Sequence, residues 1–167
     1  LSKGFHAGMK WMENHREKRE DPRKLVEGAQ SVISVLYNYF PENKLPESQF
    51  YTLSKYAYGE DYHFVIRRRL NEVIKKLEEA IGPFSARAFT DSAPVFDRAW
   101  AERAGLGWIG KNTCLINPKI GSFFFIGEII CNLELEYNDD RVADLCGGCH
   151  KCIDACPTGA ITAERVL

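Results

Sequence analysis

Four of the six cysteines in this chain crowd into one segment, Cys146-Gly147-Gly148-Cys149-His150-Lys151-Cys152-Ile153-Asp154-Ala155-Cys156-Pro157. Their spacing, C-x2-C-x2-C-x3-C-P, is the one by which cysteine thiolates hold 4Fe–4S clusters. Short spacers containing glycine let the backbone wrap an inorganic cube so that three sulfurs reach three irons. The proline then breaks the local helix and turns the fourth cysteine toward a different cluster. Structural zinc usually pairs two close cysteines with a second pair about a dozen residues away. Disulfides do not suit a chain with no secretory signal. Cys146, Cys149, Cys152 and Cys156 are therefore the candidate metal ligands.

The ligand count carries its own implication. If Cys146, Cys149 and Cys152 take three corners of one cluster, its fourth ligand comes from elsewhere and Cys156 serves a second cluster. The remaining cysteines, Cys114 and Cys131, lie in apolar, strand-like segments and read as core thiols, or as thiols standing near the cluster. The chain ends at Leu167, soon after the run, and begins Leu1-Ser2-Lys3-Gly4 without an initiator Met. The expectation is a chain trimmed at its start and ending before a second cysteine run.

The elements that must position this chemistry follow from patterning. A 45 % hydrophobic fraction with 12 % aromatics is enough for a core, and the net charge of -1 gives no whole-chain pull on nucleic acid. No apolar run is long enough to span a bilayer; 122–131 is much too short. A cytoplasmic, monomeric protein without membrane contact is expected. Residues 14–24 form a charge run, read as a solvated helix end and turn or as a ridge facing an RNA backbone. Residues 31–40 (SVISVLYNYF) predict a buried strand ended by Pro41, with a polar loop at 42–49. Asp61 is placed to cap a helix that runs to about Ile81 and stops at Gly82-Pro83. Ile66, Leu70, Val73, Ile74, Leu77 and Ile81 make its apolar stripe. Arg67, Arg68 and Arg69 lie mostly off it, as a solvated face or against RNA phosphates.

Residues 84–89 alternate and predict a strand, which runs into Thr90-Asp91-Ser92-Ala93-Pro94-Val95 and a short helix at 97–104. Gly105, Gly107 and Gly110 then surround Leu106, Trp108 and Ile109. Segments 113–116 and 122–135 are strand-like, joined by a plausible hairpin turn at 117–121. There is no βαβ rhythm and no nucleotide-binding glycine fingerprint. The fold class is α+β: a mixed sheet flanked by helices, with a C-terminal ferredoxin-like 4Fe–4S segment.

Five separated segments, taken in order, resemble one family. They are Gly8-Met9-Lys10-Trp11-Met12, Tyr58-Gly59-Glu60-Asp61-Tyr62-His63, Thr90 to Val95, Gly105-Leu106-Gly107-Trp108-Ile109-Gly110-Lys111-Asn112-Thr113 and the cysteine run. The chain is similar in these to the epoxyqueuosine reductases of queuosine tRNA modification, and more distantly to cobalamin-dependent reductive dehalogenases. The resemblance implies cobalamin and two 4Fe–4S clusters as cofactors, tRNA as substrate and an external electron donor. It implies a cobalamin-binding catalytic domain over 1–138 and a partial ferredoxin-type domain over 139–167. Family members usually carry Glu where this chain has Asp97, and they extend beyond both of its ends.

Opening an epoxide leaves an alkoxide, so a general acid near that oxygen lowers the barrier. Asp91 is the candidate: it sits at a strand end in a Pro-bearing turn, where a carboxyl can be held against a cofactor. The alternative is an ordinary turn or cap residue; the family motif places the catalytic Asp here. Tyr58, Asp61, Tyr62 and His63 are candidates to line the cobalamin pocket, with Ser92 beside Asp91, although a lone His at a helix start is more often structural. Lys111 and Asn112 follow a glycine-rich segment able to bring backbone close to a flat macrocycle; a solvated Lys is the alternative. Arg98 contacts substrate or cofactor, or pairs with Glu102 at i,i+4. A small iron–sulfur electron carrier is a competing reading, but it needs no aromatic, glycine-rich pocket ahead of its cysteines.

Overall fold

Strand β1 (Ser31–Asn38), strand β2 (Ala86–Phe89) and the late strand β5 (Phe124–Cys131) build one sheet in the order β1-β5-β2. Both pairings are antiparallel, with Ser31 and Ala86 on either side of Cys131, and Asn38 opposite Phe124. The computed structural model describes residues 4, 6, 8–43, 53–138 and 140–166. The loop expected at 42–49 lies, from 44 onward, outside the described residues.

Side chains alternate across a strand, so β5 serves two interiors. Ile129 and Cys131, both fully buried, meet Ile66 and Leu70 of helix α2 (Tyr62–Ile81) on one face. Ile130 and Phe124 face the other way, toward helix α3 (Asp97–Arg103) and strand β4 (Leu115–Ile116). Gly127 lets α2 approach: a Cβ there would stand 2.9 Å from Ile66 Cγ2 and 3.1 Å from Leu70 Cδ1. Burying one isoleucine this fully is worth about 1.5–3 kcal/mol.

Helix α2 starts as its sequence predicts. Asp61 accepts a hydrogen bond from the His63 backbone N–H, and Gly82 ends the helix at φ +91°. Its apolar stripe is narrower than the spacing suggests, because Val73 is 45 % and Ile81 60 % exposed. Ile66 and Leu70, which meet β5, are the fully buried part of the stripe.

The predicted hairpin between 113–116 and 122–135 is corrected. The turn at 117–121 closes through paired backbone bonds between Asn117 and Gly121. Strand β4, however, turns back to pair with β3 (Trp108–Ile109), a strand the sequence does not announce. Gly107 allows this, since a Cβ on it would fall 2.3 Å from the Ile116 carbonyl oxygen. Two further short helices, α1 (Arg16–Glu20) and α4 (Lys151–Asp154), lie near the two ends. No helix among the described residues is long and apolar enough to cross a membrane.

Candidate active site and cluster segment

Thr90 follows directly on β2, is 1 % exposed, and its hydroxyl donates to the Ile126 carbonyl at 3.0 Å, anchoring the strand end to β5. The next residue, Asp91, takes φ +49°, a left-handed conformation that few residues other than Gly adopt and that clusters at functional sites. Tyr62, in the first turn of α2, donates its phenolic hydrogen to Asp91 Oδ2. His63 Nε2 stands 3.6 Å from the same oxygen, and His63 Nδ1 meets Asp61 Oδ1 at 2.8 Å. The backbone N–H of His63, and then its ring, hold the Asp61 carboxyl below its ordinary range. Tyr62 lies flat on Phe125, with centroids 4.0 Å apart and planes 6° apart, and stacks on His63 from its other neighbour position. Burial, then the bond to Asp91, raise the Tyr62 phenol well above its usual value, so it remains a donor.

This cluster opens onto a cavity of about 910 Å³. Asp91, Tyr62 and Arg98, three of the candidates read from the sequence, line it. Asp97, Phe125 and the N-terminal residues Trp11, Arg16 and Arg19 line it too. Asp97 and Arg19 were missed as site residues, because only the fold brings the first helix opposite the start of α3.

The other expected site residues fall elsewhere. Asp61 and His63 do not line the cavity but stand behind Asp91 and Tyr62, and Ser92 accepts a hydrogen bond from Arg67 at 3.1 Å. Tyr58 follows the Lys55–Ala57 turn and does not line the cavity. Lys111 is neither solvated nor in the cavity: it is 5 % exposed and its Nζ meets Glu164 at 2.7 Å. Asn112 Oδ1 accepts from the Cys114 backbone N–H at 3.1 Å, a turn-forming bond. The expected Arg98–Glu102 pair is also corrected. Arg98 donates to the Thr113 carbonyl, while Glu102 accepts from the Ile109 N–H at 2.9 Å, because the chain folds back after α3.

A second acidic feature lies behind the cavity wall. Glu128, at the middle of β5, is 0 % exposed, and neither of its carboxyl oxygens has a hydrogen-bond partner among the described residues. Burial first, then Asp97, push it up to about 9; Asp97 itself is raised to about 6, chiefly by burial.

The cysteine segment docks on the β3 side. The Trp108 indole N–H points to Cys146 Sγ at 3.4 Å, and Asp144 accepts from the Cys146 N–H at 2.8 Å. The Lys111 carbonyl accepts from the Arg165 N–H at 2.8 Å, so Lys111 ties the segment down by its backbone as well as by its contact with Glu164. Gly147 turns at φ +47°, and Cys149 N–H closes on the Cys146 carbonyl. Backbone N–H groups of Ile161 and Thr158, with the Thr158 hydroxyl, bring the Cys156 thiol down to about 7. The four thiols are not gathered around one point: no three His, Cys, Asp or Glu among the described residues are placed to hold a metal ion. All-sulfur donors on a glycine-bearing loop, with N–H groups aimed at two of the sulfurs, nonetheless suit an iron–sulfur cluster, whose bonds would draw them together. Cys131 is a core thiol as expected; Cys114 is exposed, a correction, since it falls just ahead of β4.

Comparison with known proteins agrees in both regions. Residues 19–92 match the family described as epoxyqueuosine reductase QueG, DUF1730, and residues 141–162 match the 4Fe-4S binding domain. Over the whole chain, 52 % of residues are identical to the epoxyqueuosine reductase of Cyclobacterium marinum, covering 54 % of that protein. The crystal structure of an epoxyqueuosine reductase with an epoxyqueuosine-modified tRNA-Tyr stem loop superposes at TM-score 0.85 and 30 % identity, over 99 % of this chain and 44 % of that one. The Bacillus subtilis epoxyqueuosine reductase, with its catalytic aspartate loop swung out of the active site, superposes at 0.78 and 31 % identity, over 92 % of this chain and 42 % of that one. The chain spans about half the length of the curated relatives it matches.

Proposed function

This chain belongs to the epoxyqueuosine reductase family, and on that premise we propose that it carries the catalytic site of an enzyme reducing epoxyqueuosine to queuosine at the tRNA wobble position. The observation that carries the reading is the Asp91–Tyr62–His63 constellation at the edge of a large, partly aromatic cavity, with the cysteine segment tied to the same body through Trp108.

Two cofactors belong to this reading: a 4Fe–4S cluster on Cys146, Cys149 and Cys152, with Cys156 toward a second, and cobalamin in the cavity. The cavity suits a large ligand: Val95, Phe96, Phe125 and Ile126 supply apolar wall, and Asp91 and Arg98 supply a few polar groups. Cobalamin when bound supplies a metal centre that passes electrons to the substrate carbon. The chain's residues do the rest. Asp91 donates a proton to the departing epoxide oxygen; Tyr62 holds the Asp91 carboxyl in place; Arg16 and Arg19, on the cavity wall, meet nucleotide phosphate. Residues 1–138 form the catalytic part and 139–167 the beginning of the electron-delivering part, fed by an external donor. The enzyme acts in the cytoplasm, where its tRNA substrate is.

The test pairs cobalamin titration of the purified chain, followed by its visible spectrum, with turnover of epoxyqueuosine tRNA by the full-length enzyme and its Asp91→Ala variant. Saturable cobalamin binding, with turnover lost in the variant, is the expected result. Full turnover in Asp91→Ala removes Asp91 from the acid role. No turnover by the loaded wild type overturns the reaction.

A further inference from the structure

Reducing an epoxide to an alkene takes two electrons and two protons, since the oxygen leaves as water. Asp91 holds at most one of those protons. A substrate seated in the cavity displaces the solvent that would otherwise supply the other, so the second proton needs a store inside the protein.

One place in the fold answers this need. Glu128 is fully buried and sits on β5 between Ile126 and Ile130, on the face that packs toward α3. Neither carboxyl oxygen has a partner among the described residues, and neither has the Ser34 hydroxyl, which lies directly opposite Glu128 in the β1–β5 register. An ionised carboxylate cannot stay in such a setting without donors, whereas a protonated one can. Asp97, in the first turn of α3, is the acidic group that faces Glu128, and Asp97 also lines the cavity that Asp91 enters. Two carboxyls bond to one another only when one of them carries the proton, since two carboxylates are both acceptors.

We propose that Glu128 and Asp97 form a buried carboxylic acid pair that stores a proton behind the cavity wall and delivers it through Asp97 as the second proton of the reaction. The inference rests on the reductase reading above. In the step, the O–H bond of Asp97 breaks as a new O–H bond forms on the oxygen already protonated by Asp91, the remaining C–O bond breaks, and water departs; the two electrons that leave an alkene behind are those the reductase reading draws from its external donor. Glu128 passes its proton to Asp97, and the pair refills from solvent through the cavity once product has left. The groups facing the pair are consistent with this. Asp91 raises the proton affinity of Asp97, Arg98 lowers it, and β1 and β2 present Ser34 and Phe89 opposite Glu128, neither of them a charge. Glu128 acts through Asp97 and is a positioning and storage residue; Asp97 is the one that meets the reacting atoms.

The test uses the full-length, cofactor-loaded enzyme with Glu128→Gln, which keeps shape but holds no exchangeable acid proton, and Glu128→Asp as the conservative variant. Infrared spectra at neutral pH should show the carbonyl stretch of a buried, protonated carboxylic acid, downshifted in heavy water, absent in Glu128→Gln and retained in Asp91→Asn. Turnover by Glu128→Gln should fall about tenfold in kcat with KM unchanged, lose activity at lower pH than wild type, and recover in part in Glu128→Asp. Absence of the protonated band from the wild type overturns the proposal. So does a Glu128→Gln enzyme with wild-type kcat and pH profile. The wild-type spectrum decides even where the variant fails to fold. It needs no substrate, so its outcome is separate from any failure of epoxyqueuosine turnover, which would count against the reaction itself.

Discussion

The hydroxyl of Tyr62 donates to Oδ2 of Asp91 across 29 positions of sequence, from the first turn of one helix to a residue just past the end of a strand. This bond holds the carboxyl at the cavity edge in a left-handed backbone conformation, φ +49°, that most residues other than Gly, Asn and Asp avoid. Stacking of Tyr62 on Phe125 fixes the phenol in turn. Removing the hydroxyl while keeping the ring should therefore loosen Asp91 and leave the fold alone. Tyr62→Phe is expected to lower kcat about tenfold with little change in melting temperature, measured by single-turnover kinetics and thermal unfolding.

Replacing the acid itself should cost more. Asn tolerates the left-handed region nearly as well as Asp, so Asp91→Asn keeps the turn and removes the proton. Turnover should drop about 10²–10⁴-fold, the usual worth of a positioned acid, with cobalamin affinity unchanged. Comparing the spectrophotometric titrations of wild type and variant separates lost chemistry from lost binding.

Trp108 gives the cluster segment a donor to sulfur, 3.4 Å from Cys146 Sγ. Hydrogen bonds to cluster sulfurs stabilise the more negative, reduced state and raise its potential. Trp108→Phe should therefore lower the reduction potential of the reconstituted cluster by on the order of tens of millivolts, read by a redox titration followed by electron paramagnetic resonance. An unchanged or higher potential would show that the indole does not reach the sulfur in the loaded protein.

Stability should fall with rising pH through one group in particular. Burial and Asp97 lift the Glu128 carboxyl to about 9. From the ordinary carboxylate range up to that value, the folded chain keeps a proton that the unfolded chain has released. Folding then binds protons, so Glu128's contribution is fully present in acid and fades as the pH climbs toward 9. Glu128→Gln carries no such linkage. Its melting temperature should be flatter than wild type between about pH 5 and 8 and higher by a few degrees at the alkaline end, measured by calorimetry across buffers.

Gly107 tests the β3–β4 pairing. A methyl there meets the Ile116 carbonyl oxygen at 2.3 Å, and backbone on both sides leaves nothing flexible to yield. Gly107→Ala should destabilise the chain by about 1–3 kcal/mol, whereas Gly59→Ala, with no atom within 4 Å of the new methyl, should change little. Denaturant titration of both variants makes the comparison.

Much of the local structure is legible from neighbours in sequence. Asp61 caps α2 because a carboxyl one residue before a helix reaches the next free N–H, and Gly82 stops it because only glycine enters that backbone region without strain. The apolar run from Ser31 and the alternation before Thr90 mark their strands for the same local reason. Misreadings arise where partners are distant. Arg98 and Glu102 look like a helical pair until the chain doubles back and offers Thr113 and Ile109 instead. Lys111 reads as a cofactor-binding residue, or else a solvated one, until Glu164 arrives from beyond the cysteine run.

Thiolate spacing, helix caps and strand periodicity are properties of residues a few positions apart, and the amino-acid order settles them because bond lengths and dihedral preferences act over that range. The identity of the acid's companions is another matter. Tyr62 meets Asp91 and Asp97 meets Glu128 only because β5, the last strand of the sheet, enters between β1 and β2 and gathers α2 and α3 around itself, while Trp108 meets Cys146 because β3 folds back on β4. That insertion is driven by burial of Ile129, Ile130 and Cys131 on two faces at once, a gain summed over the whole core and carried by no single stretch of sequence.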